Sequence, residues 1–186
     1  MEFLDVLHPD GSPAGKRLSR VEVHRKGLHH RTVHVWVQNT KGELLLQKRS
    51  SSKEVFPGLW DISCAGHLSA GDSSLDGAVR ELEEELGISV NKDKLQFLFT
   101  IPRHYTSPVS NIIENEITDV YLLKRRIEPG NLEINRNEID EVQFISINEL
   151  KRRVEKGDPD LADHKVEYLM LLQGDWLQTS DVDLAD

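Results

Sequence analysis

Cysteine is almost missing from this chain of 186 residues, since Cys64 stands alone. That excludes any disulfide within the chain and points to a reducing compartment. Long apolar runs are missing as well. The longest, residues 44–46 and 168–172, fall far short of the ~20 residues that cross a bilayer. Basic residues are outnumbered by acidic ones, 23 against 32, for a net charge of −9. A basic footprint for nucleic-acid phosphates is therefore lacking. The first twelve residues hold no signal-peptide core, and no repeat or low-complexity linker is visible. Aromatics make up only 6%, which leaves Trp36, Trp60 and Trp176 as bulky core candidates. These absences lead us to expect a soluble cytoplasmic protein with no membrane and no nucleic acid among its partners; the oligomeric state, monomer or homodimer, stays open. The length suits one domain, placed over residues 1–178, with a flexible acidic tail over 179–186.

What is present reads as strands with a few helices. Residues 2–7 form a strand before the turn Pro9-Asp10-Gly11. Residues 31–39 alternate, with Val33, Val35 and Val37 on one side. Thr40-Lys41-Gly42 marks a hairpin into a return strand over 43–49. A polar loop over 50–58 precedes a short strand over 60–65. Further strands are expected over 95–101, 112–124 and 141–147. Helices are expected over 73–86, 149–156 and 161–177. The spacing predicts an α+β fold, a mixed sheet flanked by helices.

The helix over 73–86 is unusual. Ser73 reads as its N-cap and Gly87 as its stop. Leu75, Ala78, Val79, Leu82 and Leu86 share one stripe, which must be buried. Glu81, Glu84 and Glu85 fall beside that stripe rather than opposite it, with Gly77 one turn earlier on the same face. The pair Glu81 and Glu85 costs roughly 0.2–0.5 kcal/mol by like-charge repulsion. Carboxylates in the last turn oppose the helix dipole by about 0.3–1 kcal/mol each. Within the helix, only Arg80 stands where it can compensate. A solvated acidic face would account for the pattern. A small Gly-rich loop, residues 66–72, leads into the helix and favours a second reading. Carboxylates at i, i+3 and i+4 behind such a loop offer hard oxygen ligands for Mg²⁺.

The run Gly66-x5-Asp72-x7-Arg80-Glu81-Leu82-x-Glu84-Glu85-x-Gly87-Ile88 resembles the Nudix box. Asp72 is the one departure, standing where the family pattern has Glu. The resemblance implies a Nudix-type α/β/α sandwich with a mixed β-sheet, and Mg²⁺ (or Mn²⁺) dependent hydrolysis of a small-molecule diphosphate. It implies Glu84 and Glu85 as metal ligands, with Glu81 a ligand or a base; Glu116 joins the metal ligands through the second resemblance below. Glu81 or Glu84 would be the general base, Arg80 would hold the glutamates, and Asp72 would orient the site.

A second resemblance is to type 1 isopentenyl-diphosphate isomerases. It rests on Trp36-x2-Asn39-x2-Gly42-x2-Leu45-Leu46, Pro57-Gly58-x-Trp60, Ser63-Cys64-x-Gly66-His67 and Glu114-Asn115-Glu116. By that likeness His24, His30, His67, Glu114 and Glu116 would form a second metal cluster. Arg49 and Lys53 would hold the diphosphate, with His67 and Glu114 also at the substrate.

Isomerases carry a catalytic Cys immediately before Gly-His, and here that residue is Ala65. Cys64 lies one position early, on the opposite strand face, and reads as a core residue. The isomerases also do not keep the full hydrolase glutamate set that this chain has. The histidines at 24, 29, 30 and 34 read equally as polar, partly exposed side chains. Hydrolysis of a nucleoside- or prenyl-type diphosphate is the expected activity, with a weak lean toward prenyl arms. Isopentenyl-diphosphate isomerisation and a non-catalytic diphosphate-binding module are the alternatives.

Overall fold

A computed structural model describes residues 2–108, 110 and 112–177. The tail expected over 179–186 lies outside the described residues. These hold nine strands, β1 (Phe3–Leu7), β2 (Pro13–Ser19), β3 (His29–Gln38), β4 (Leu44–Arg49), β5 (Trp60–Asp61), β6 (Cys64–His67), β7 (Leu95–Thr106), β8 (Ile113–Lys124) and β9 (Ile139–Ile145). The helices are α1 (Arg20–Lys26), α2 (Ser74–Leu86), α3 (Ile147–Lys156) and α4 (Lys165–Gln173).

β3 is the axis of the sheet. It runs parallel to β8, with His30 opposite Glu116 and His34 opposite Val120. On its other edge it pairs antiparallel with β6, placing Thr32 opposite His67 and Val35 opposite Cys64. β7 extends the sheet beyond β8, and β9 pairs antiparallel with β4.

Alternation along β3 divides the core in two. Val33, Val35 and Val37 pack with Cys64 against Ala78, Leu82 and Leu86 of α2. Trp36 faces the other way, into a cluster with Val120, Leu150 of α3, and Tyr168 and Leu171 of α4. Helices therefore cover both faces of a mixed sheet, the expected α/β/α sandwich. Each fully buried leucine of α2 contributes roughly 1.5–3 kcal/mol. Of the three tryptophans only Trp36 is fully buried; Trp60 and Trp176 are half-buried.

α2 has the predicted caps. Ser73 Oγ accepts from the Asp76 N–H at 3.2 Å. Gly87 takes φ +67°, donating to the Glu83 carbonyl at 3.1 Å, while the Ile88 N–H reaches Leu82 at 3.0 Å. A Cβ at Gly87 would also lie 2.7 Å from Glu133 Cβ.

The main difference from the sequence reading is at the N-terminus. Residues 13–26 form β2 and α1, which the apolar pattern does not reveal. β2 is exposed over most of its length, so it carries no alternating stripe. α1 is a seven-residue helix begun by Ser19, whose Oγ accepts from the Glu22 N–H. The strand expected over 60–65 is broken into β5 and β6, and the terminal helix is confined to Lys165–Gln173. Gly77 is not open toward the acidic face, because Leu68 and Val33 pack against it.

Candidate active site

One cavity of about 620 Å³ gathers nearly all the singled-out side chains. Its lining includes Ala65, Gly66 and His67 of β6 and His164, just before α4. Three groups of residues build it, with His30 against the lining residue His24.

The first group comes from α2. Glu81 and Glu85 are only 9% and 7% exposed, whereas the Glu84 side chain is 59% exposed. The three carboxylates therefore differ in their access to water. Arg80 ties them together. Its Nη1 donates to Glu81 Oε1 at 2.7 Å and to Glu84 Oε2 at 3.2 Å, and its Nη2 donates to the His67 carbonyl at 2.9 Å. Asp72 approaches only to 3.8 Å of Arg80 Nε, which has no hydrogen-bond partner. Glu85 Oε2 accepts from Gln47 Nε2 at 3.3 Å and the Ala65 N–H at 3.4 Å. Burial pushes both buried carboxyls up to about 7, against the Arg80 charge at Glu81 and with help from Glu81 at Glu85. Buried carboxylates with so few donors suit a cation that supplies the missing charge.

The second group is histidine. His24 on α1, His30 on β3 and His67 on β6 turn their ring nitrogens toward one point. Nε2 of His24 lies 3.3 Å from that of His30 and 3.1 Å from that of His67. His30 Nδ1 donates to the Leu28 carbonyl at 3.0 Å, so in the neutral ring its Nε2 carries a bare lone pair. Convergent lone pairs repel unless a proton or a cation lies between them. Burial, reinforced by neighbouring His30, pushes His24 down to about 4, which disfavours the proton. Burial likewise lowers His30 and His67. A tetrahedral ion with M–N bonds of about 2.0–2.1 Å holds its ligands roughly 3.3–3.4 Å apart, close to the two separations from His24, and the three nitrogens all lie within 4.8 Å of one another. Glu116 Oε1 stands 3.8 Å from both His30 and His67.

These histidines are buried, at 6% exposure for His24 and 0% for His30. The reading of polar, partly exposed side chains is corrected for them. It is corrected for His34 too. That ring is buried, donates through Nδ1 to Glu167 Oε2 at 2.7 Å and accepts from Arg103 at Nε2. Equal strand parity with His30 does not bring it to the cluster.

The third group is cationic. Arg49 and Lys53 both line the cavity, as does Arg20 of α1. Arg49 donates to Asp61 Oδ2 at 3.1 Å and to the Val55 carbonyl at 2.8 Å. Lys53 pairs with Glu138, and Arg20 with Glu2 at 3.1 Å. Glu114 faces the same space, its carboxyl pushed up to about 7 by burial and by Glu116. Burial alone would also raise Glu116, but Arg103 at 2.8 Å and His30 hold it down.

Residues 28–165 match the NUDIX domain family. The chain belongs to the Nudix family. A relative, Nudix hydrolase 3 of Arabidopsis thaliana, is 41% identical over 89% of this chain, which spans 22% of that protein's length. An isopentenyl-diphosphate Delta-isomerase of Dinoroseobacter shibae is 34% identical over 74% of this chain and 73% of its own. The crystal structure of DR0079 from Deinococcus radiodurans shares the fold, with a TM-score of 0.68 at 23% identity, over 91% of this chain and 98% of that one.

Within this Nudix domain, the residue that separates the two resemblances is visible. Cys64 is fully buried in the α2 core and burial raises its thiol pKa, while Ala65 lines the cavity. The position where isomerases carry their cysteine therefore bears a methyl group.

The pattern-based reading missed Arg20, Arg103, Asp61 and His164, all on the cavity wall. No local signal marks them. Arg20 is carried on the unpredicted helix α1, and the others come from β7, β5 and the start of α4.

Proposed function

We propose that this Nudix domain is a divalent-metal-dependent pyrophosphohydrolase acting on small organic diphosphates. One observation carries the reading: the buried carboxylates Glu81 and Glu85 of α2, His24 and His67 of the histidine cluster and the cations Arg20, Arg49 and Lys53 line a single cavity. The donor chemistry supports two different ions. Glu81, Glu84 and Glu85, with Glu116 beside them, offer hard oxygens suited to Mg²⁺ or Mn²⁺. His24, His30 and His67 offer nitrogens suited to a transition ion. Bound metal would neutralise diphosphate charge and acidify a water.

The remaining roles belong to the chain itself. Arg20, Arg49 and Lys53 hold the phosphate oxygens. Glu81, with its carboxyl near 7, is poised to take the proton of the attacking water at neutral pH. Glu84 is the runner-up for that task. Water oxygen joins one phosphorus, the bridging P–O bond breaks, and the departing phosphate leaves with its electron pair. Arg80 holds Glu81 and Glu84 in place. The proposal includes one domain over residues 1–178 and a cytoplasmic setting. The net charge of −9 is compatible with an anionic substrate because metal accompanies it.

Phosphate release from a panel of diphosphates, with and without Mg²⁺ or Mn²⁺, tests this reading. We expect metal-dependent release that falls by at least about 100-fold in Glu85→Gln and Glu84→Gln. Wild-type turnover in both variants would overturn it. The isomerase likeness supports a second reading, interconversion of isopentenyl and dimethylallyl diphosphate without phosphate release. Ala65 argues against it, and an isomer-resolved product assay separates the two. Thermal stabilisation by diphosphates without any turnover would instead indicate a binding module.

A further inference from the structure

The loop that carries the chain from β6 into α2 is held differently at its two ends. At its start His67 pairs with Thr32 across β6 and β3, and the Leu68 N–H donates to the Arg31 carbonyl at 3.2 Å. At its far end the hold comes from β1. The Ala70 N–H donates to the Phe3 carbonyl at 2.8 Å. The Gly71 N–H donates to Asp5 Oδ2 at 2.7 Å. Oδ1 of the same carboxylate accepts from Arg17 Nε of β2 at 2.9 Å. Asp5 therefore spends one oxygen on the loop and the other on the neighbouring strand. Gly71 fits beneath Arg17 because it lacks a side chain: a Cβ there would lie 3.1 Å from Arg17 Nη2.

The anchored residues are the centre of a turn. The Asp72 N–H donates to the Ser69 carbonyl at 2.9 Å, and Gly71, with φ +94°, stands third in that turn, where a type II turn calls for glycine. β1 takes up the N–H groups of both central residues, Ala70 and Gly71. The loop in turn supports Arg80. Arg80 Nη2 donates to the His67 carbonyl at 2.9 Å, and Nη1 holds Glu81 and Glu84. At the other end of the loop Asp72 faces Arg80 Nε across 3.8 Å, an ion pair without a hydrogen bond. The turn that presents Asp72 is thus fixed from β1 rather than by Arg80.

We propose that Asp5 is a positioning residue for the α2 carboxylates: it clamps the turn over 69–72 onto β1 and, through Asp72, His67 and Arg80, keeps Glu81 and Glu84 in place to bind a divalent cation. The proposal rests on the metal-dependent reading above and adds to it a residue that touches neither metal nor substrate. Asp5 has no packing duty that would explain it otherwise. Its neighbours Leu4 and Val6 face the small core with Val23, while the Asp5 side chain is 44% exposed. A hydrogen bond from a backbone N–H to a carboxylate is among the stronger kinds. Without it the Gly71 N–H turns to water, and only the Ala70 bond ties the turn to β1. Groups that hold metal ligands in place tune metal affinity without touching the ion.

The test compares wild type with Asp5→Ala, Asp5→Asn and Arg17→Ala. Hydrogen exchange of the segment 66–72 is read by mass spectrometry, Mg²⁺ affinity by calorimetry, and phosphate release on the diphosphate panel. Asp5→Ala should speed exchange in that segment by about tenfold. It should weaken Mg²⁺ affinity by about three- to tenfold, at the low end for residues outside the ligand set. Release at limiting Mg²⁺ should fall in proportion, with KM for the diphosphate within about twofold of wild type. Asp5→Asn keeps an acceptor for Gly71 and should stay within about twofold of wild type in exchange and affinity. Arg17→Ala removes only the exposed ion pair and should do the same. Partial unfolding lowers kcat but not the Mg²⁺ affinity of the folded remainder, so affinity separates positioning from stability. Faster exchange with unchanged Mg²⁺ affinity would leave Asp5 a structural role and overturn the proposal, as would unchanged exchange. If wild type binds Mg²⁺ but releases no phosphate, hydrolysis is overturned, while exchange and affinity still decide the clamp.

Discussion

Gly66 on β6 leaves the space that the Glu81 carboxylate occupies. A Cβ built on Gly66 would collide with all three carboxyl atoms of Glu81. The glycine is needed here for close approach, since its φ is not positive. Gly66→Ala should therefore expel Glu81 from its position. Misplacement of a catalytic group by about 1 Å costs on the order of 100-fold. We expect a loss of that size in metal-dependent kcat, measured as phosphate release. Full activity would show that the Glu81 position is not critical.

Asp72 is one methylene short of Arg80. The 3.8 Å gap to Arg80 Nε, and the lack of any hydrogen-bond partner on that atom, are physical consequences of Asp where the family pattern has Glu. Asp72→Glu should close the gap. Both side chains are about one-third exposed, so solvent screening limits the gain to no more than about 1 kcal/mol. Chemical denaturation should show a small rise in midpoint with an unchanged slope. Any fall in stability would contradict the geometry.

Metal binding should follow pH. Glu81 and Glu85, raised to about 7 chiefly by burial, keep protons that the unfolded chain releases near 4.5. Between those values the folded state binds more protons, so these two groups make the metal-free protein less stable as pH rises from about 4.5 to 7. The depressed histidines His30 and His67 act in the opposite sense up to about their ordinary value of 6.5. Metal must displace the glutamate protons. The rise in Tm on adding Mg²⁺ should thus grow from about pH 5 to 8 with a midpoint near 7. A pH-independent rise would exclude Glu81 and Glu85 as ligands.

The two donor sets should separate by metal. His24→Ala removes one corner of the histidine cluster and leaves the α2 carboxylates intact. We expect at least about a tenfold weaker affinity for Zn²⁺ at the histidine site, read by chelator competition, with the Mg²⁺-induced Tm shift preserved. Equal loss of both responses would mean that the two sets form one site.

Much of the α2 half of this cavity was legible in the chain itself. The helix period, the Ser73 and Gly87 caps and the spacing of Glu81, Glu84 and Glu85 are local properties. A period-2 strand likewise put Cys64 in the core and Ala65 on the opposite face. The histidine half was not legible. His24, His30 and His67 come from a helix and two strands, and His24 rides on α1, which has too few apolar positions to announce itself. His34, by contrast, shares the parity of His30 but meets Glu167 instead.

The sequence by itself determined the family, the sandwich of helices about a mixed sheet, and the identity of the acidic motif, because these depend on residue type and on periods of 2 and 3.6. Tertiary structure decided which carboxylates lose water, which histidines converge, and that His164, just before α4, meets Asp61 of β5 across 103 positions of chain. Burial and convergence depend on how the strands β3, β6 and β8 bring distant segments together, and no local spacing carries that information.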